Sequence, residues 1–187
     1  MTPFDYVTVL ISIILGLGIT QLVSGFADLI VHSKKIEVYL PHVLFSVLVF
    51  FLHIQEWWTL YDLRMHVWRL PLFLLVLLYP INLFILAKIL FPASFDFNTS
   101  LRAFYFDNCK KLFGCLFVPS LLSAIENTTV HHLPVMSQGV QAFVMISSGW
   151  VVVKGETRGT FHYALIIAYV ILTMISFAVK WNEWLIA

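Results

Sequence analysis

Charge is what this sequence has least of. Only 11% of its 187 residues are Asp, Glu, Lys or Arg, against about 25% in a soluble domain. A chain so poor in charge cannot solvate its own surface, so the bilayer is its expected solvent and first partner. The formal net charge of +1 leaves no basic footprint, and no nucleic acid is expected. Cysteine is scarce too. Cys109 and Cys115 are the only two, and their six-residue spacing is neither a C-x-x-C redox pair nor a zinc signature. Phosphate loops, dinucleotide fingerprints, G-x-S-x-G and H-E-x-x-H are all missing. The expectation is therefore no metal, no cofactor and no enzymatic activity.

Apolar length is what remains. A crossing helix needs about 20 largely apolar residues. Segments near 6–31, 41–62, 70–91, 111–130, 134–153 and 160–182 meet or approach this. The first carries no Lys or Arg ahead of its apolar run and no cleavage site after it, so it reads as a retained span. The stretch "SFDFNTSLRAFYFDNC", near 94–108, is too polar to span and suits a short helix lying in the interface. The expected fold is thus all-α: a polytopic membrane helix bundle of about six spans, residues 1–187 forming one transmembrane domain.

"LPHVLFSVLVFFLHIQEW" and "LPVMSQGVQAFVMISSGW" both run from Leu-Pro to a Trp. Halves 1–92 and 93–187 related as an inverted repeat would look like this, and coincidence is the alternative.

Basic residues set the expected orientation. Lys34, Lys35, Arg102, Lys110, Lys111, Lys154 and Arg158 fall on one side, and Arg64, Arg69 and Lys180 on the other. The positive-inside rule then places both termini outside the cell (inner) membrane. Trp57, Trp58, Trp68, Trp181 and Trp184 collect at the same outer edge, as an interfacial belt would.

Polar residues recur inside the spans. The run Val43–Leu52 rises only about 15 Å, half of the hydrocarbon core. The "HIQEWW" that follows it therefore enters the membrane or marks an interface reached early. On a helix, His42, Ser46, His53 and Glu56 share a sector of about 80°, with Gln55 pointing elsewhere. A buried ionised Glu56 must be paired, neutralised or wet, and His53 is the expected partner. His162, Tyr169, Thr173, Ser176 and Lys180 share one face, as do Gln138, Gln141 and Ser148. Ser120, Ser123 and Asn127 lie on one side of the fourth span. In the first span Gln21 and Asp28 align with Gly18 and Gly25, while Thr8, Ser12, Gly16, Thr20 and Ser24 repeat every fourth residue. Gly16, Gly18 and Gly25 are expected at close helix crossings.

Such stripes either glue helices together or line a wet pathway. The expected function is a pore or carrier for a small solute or ion, with Asp28, His53, Glu56, His162, Gln21, Gln138, Gln141 and Thr173 as candidate lining. His53 would couple it to pH, since His titrates near neutrality. The small chain would work as a homo-oligomer. The alternative is a membrane sensor or scaffold binding a partner protein at its cytoplasmic loops. An intramembrane enzyme or a haem protein comes third, and haem lacks a fourth histidine ligand at matching depth. "HHLP" is a weak metal signal, and the tripeptides at Asn98 and Asn127 read as coincidental glycosylation sites.

Overall fold

The computed structural model describes residues 2–95, 99–130, 132, 134 and 138–180, without the side chains of residues 99, 179 and 180. Asp96, Asn98, His131, Trp181, Trp184 and the Lys180 side chain, which the sequence reading takes in, lie outside the described residues. The helices are α1 (Pro3–Val31), α2 (Leu40–Thr59), α3 (Leu70–Ile89), α4 (Leu101–Thr129), α5 (Gly139–Lys154) and α6 (Gly159–Lys180). A 3-10 turn, Leu60–Met65, extends α2. Every helix except α5 is long and apolar enough to cross a membrane. With 16 residues, α5 rises only about 24 Å of the ~30 Å core.

Local chemistry sets the ends. Thr2 and Asp5 close a capping box on α1: the Thr2 hydroxyl accepts from the Asp5 N–H at 3.1 Å, and the Asp5 carboxylate from the Thr2 N–H at 2.6 Å. Pro41 and Pro71 stand in the first turns of α2 and α3, where no N–H is needed. Pro134 does not do this for the fifth segment, whose helix begins only at Gly139. Gly155 ends α5 in the left-handed region at φ +62°.

Two expectations change. The stretch foreseen as an interfacial helix is the start of α4, which runs unbroken from Leu101. Leu101, Tyr105, Cys109, Leu112, Phe113 and Leu116 keep one buried face through it, while Arg102, Asp107, Lys110 and Lys111 point outward. On α1 the buried stripe is Val7, Ile11, Leu15, Gly18, Leu22 and Gly25, so Gly16, Thr20, Ser24 and Asp28 are exposed. The His53 ring lies on Gly18 and the Phe91 ring on Gly25, whereas a Cβ at Gly16 would meet nothing within 4 Å.

Helix α1 packs on α3 and α2, α4 on α5 and α3, and α2 on α6. The two halves therefore pair their helices differently. A short parallel pairing, β1 (Ile36–Glu37) with β2 (Thr99–Ser100), ties the α1–α2 connection to the start of α4. The larger core cluster includes Phe45, Val49, Leu90, Tyr105, Phe113 and Ile166. A smaller one joins Val7, Ile11, Leu15, Leu60, Leu63, Val76 and Leu83. Pro119 inside α4 cannot bond to the Cys115 carbonyl one turn earlier. The Asn82 amide of α3 donates to that carbonyl at 2.7 Å, so the interrupted helix is satisfied from its neighbour.

Candidate functional site

A cavity of about 460 Å³ opens where the two core clusters meet. Its walls are the later halves of α2, α4 and α6 and the earlier halves of α3 and α5. That placement requires α2, α4 and α6 to run one way and α3 and α5 the other. The cavity thus lies towards the end of the bundle opposite the β1–β2 pairing.

Helical spacing builds each wall. Leu48, Leu52, Gln55 and Thr59 follow one another along α2, with Glu56 at the edge of that row. Leu116, Pro119, Ser120, Ser123, Glu126 and Asn127 do the same on α4, and Tyr169, Leu172, Thr173 and Ser176 on α6. Val76, Tyr79 and Leu83 come from α3, and Val140, Gln141 and Val144 from α5. Among the described residues the lining contains three carboxylates, Glu56, Asp62 and Glu126, and no Lys, Arg or His. Glu56 and Glu126 are close enough to repel one another. The Tyr79 hydroxyl faces Glu126 and Ser123 but closes no hydrogen bond of good geometry to either.

Beneath Leu48, Leu116 and Tyr169 the bundle is closed. Phe45, Tyr105, Phe113 and His162 are buried there, and the Tyr169 hydroxyl is held to Ser147 of α5 at 2.8 Å. His162 ties this layer together. Its Nδ1 meets the Tyr105 hydroxyl at 2.9 Å and its Nε2 the Glu156 carbonyl at 2.7 Å. Beyond the layer a second, shallow hollow is lined by Tyr39, Pro41, Arg102, Gly159 and Tyr163. Burial raises the Tyr39 phenol above its ordinary pKa, against the opposing pull of the Arg102 guanidinium.

The sequence candidates divide accordingly. Glu56, Gln141 and Thr173 line the cavity. His53 does not: its Nδ1 bonds back to the Val49 carbonyl at 2.8 Å, and its Nε2 is buried against Gly18. It is no partner for Glu56, because α1 covers one and the cavity the other. Gln138 reaches the Thr128 hydroxyl at 3.2 Å instead of the cavity, and Gln21 meets Lys88 at 3.4 Å on the outside of the bundle. Asp28 is exposed and His162 belongs to the floor. Gln55, expected to point elsewhere, lines the site, and Ser120, Ser123 and Asn127, read from sequence as one side of the fourth span, line it together. Glu126, Tyr79 and Asp62 were missed. Glu126 lies three residues past Ser123 and six past Ser120, so the α4 stripe already pointed to it. Among the described residues no group of His, Cys, Asp and Glu could hold a metal.

These helices and this one-ended cavity define a polytopic α-helical membrane protein. No family model, curated protein or solved structure matches the chain.

Proposed function

We propose that the protein is a carrier for a small cationic solute, loaded from the end where the cavity opens. The observation behind this reading is a membrane cavity whose described lining holds three carboxylates and no basic side chain. Ionisable groups inside a membrane bundle mark pathways and binding sites by default, and an acidic pocket in a low-dielectric wall concentrates cations. The buried floor favours a carrier over an open pore. Under the positive-inside rule the cavity faces outward from the cell membrane with both termini. The exposed Gly16, Thr20 and Ser24 stripe supports a second copy packing along α1. Uptake into proteoliposomes tests the reading: flux should saturate, favour cations over anions, and fall sharply in Glu56→Gln. Absence of flux for every solute tried would overturn it.

The second reading is a sensor that binds the same solute without moving it and signals through the cytoplasmic loops. The closed floor favours that over a scaffold with no ligand. An enzyme has less support, because it would need His53 and Glu56 to reach one substrate atom, and His53 faces Gly18.

A further inference from the structure

We infer that the ligand is an organic ammonium ion with a hydrocarbon body, its N–H groups shared among Glu56, Glu126 and the Tyr79 hydroxyl. The inference rests on the cavity being the solute site and adds the chemistry of the solute.

Tyr79 carries the argument beyond the acidic cluster. Its side chain is 6% exposed and lines the cavity, yet its hydroxyl has no hydrogen-bond partner. Buried hydroxyls are nearly always satisfied, so something in the cavity is expected to meet this one. Its neighbours are the Glu56 and Glu126 carboxylates, which accept, and the Ser123 hydroxyl, with none of which it closes a hydrogen bond of good geometry. A group that donates to both carboxylates and to the phenol oxygen fits all three, and an ammonium N–H does so.

An inorganic cation fits less well. Hard cations take six or more oxygens, and no metal-holding cluster exists among the described residues. Away from the acidic corner the wall mixes the hydrocarbon of Leu48, Leu52, Leu116 and Leu172 with the uncharged polar groups of Gln55, Gln141, Thr173 and Ser176. A bare ion would leave that wall empty, whereas an alkyl or aryl body would fill it. The volume of about 460 Å³ lies within the range of small-molecule sites, roughly 300–1,000 Å³.

Calorimetry on the full chain in lipid nanodiscs tests this with defined probes: phenethylammonium, its trimethylated analogue, 2-phenylethanol, Na⁺ and K⁺. Phenethylammonium should bind one site per chain. The trimethylated ion, which cannot donate, should bind about ten times more weakly or worse, and the neutral alcohol should not compete. Glu56→Gln and Glu126→Gln should each weaken phenethylammonium by about ten- to a hundredfold, and Tyr79→Phe by a few-fold. Equal binding of the alcohol or the trimethylated ion, displacement by millimolar Na⁺ or K⁺, or no binding would overturn the inference. The probe series uses the unmodified protein, so a variant that fails to fold leaves the result intact. Binding without flux would sink the carrier and leave the ammonium site standing. Flux of inorganic cations without amine binding would do the reverse.

Discussion

His53 and Glu56 stand one helical turn apart on α2 and serve different neighbours: the His53 ring lies on Gly18 of α1, and Glu56 borders the cavity opposite Glu126. Gly18 is the only residue size that admits the ring. Gly18→Ala should destabilise the bundle by about 1–3 kcal/mol, the usual cost of overpacking. Gly16→Ala, which meets nothing within the single chain, should be neutral or gain about 0.5–1 kcal/mol in the stability of the monomer from helix propensity. Unfolding in mixed detergent, followed by circular dichroism, compares the two, and equal effects would mean that the α1–α2 contact is misplaced. His53→Leu removes a ring nitrogen that has no partner. It should leave amine binding unchanged.

The Asn82 contact predicts a rescue. Asn82→Leu leaves the Cys115 carbonyl unpaired in the bundle, a loss of about 1–3 kcal/mol. Pro119→Ala restores the missing N–H within α4. In that background Asn82→Leu should cost less than about 1 kcal/mol, a coupling visible in a double-mutant cycle. Additive losses would show that Asn82 does not serve the proline gap.

Tyr105→Phe removes the hydroxyl that meets His162 Nδ1. Cys109 is buried beside the same ring, its sulfur 4.0 Å from Nε2. Loosening the floor should raise the labelling rate of Cys109 by a neutral thiol reagent. An unchanged rate would mean that the layer is held by packing alone.

Acid should weaken amine binding. Protonating Glu56 removes a countercharge, so affinity is greatest at high pH, while the amine is still charged, and falls as pH falls. The titratable groups around Glu56 are Glu126 of α4, Tyr79 of α3, Asp62 of the 3-10 turn and Tyr169 of α6. Among the described residues no histidine lines the cavity with them, so His53→Leu should leave the pH profile in place. A profile that moves with His53 would restore the pairing read from the sequence. Isothermal titration across pH 5–9 distinguishes the two.

Much of the class was legible beforehand. Apolar length announced helices in all six expected segments, because the bilayer imposes that length on any crossing helix. The continuous α4 was less visible, since its charged residues hide an unbroken buried face. Glu56, Gln141 and Thr173 could be named from one-sided polarity. Polarity along one helix does not say which neighbour covers it, and His53 and Glu56, about 60° apart around α2, fall on either side of that boundary. Tyr79 and Glu126 matter only because five helices converge on one space, and convergence is a tertiary property.

The central claim is an acidic cavity reached from one side, and thiol chemistry at its wall tests this most directly. In a background with Cys109 and Cys115 replaced by alanine, Ser123→Cys places a thiol beside Glu126 and Tyr79. Cells or oriented vesicles are then treated with impermeant methanethiosulfonates of opposite charge. Reaction is expected from one side only, faster with the cationic trimethylammonium reagent than with the anionic sulfonate, and slowed by phenethylammonium. Equal rates for the two charges, or reaction from both sides, would contradict it.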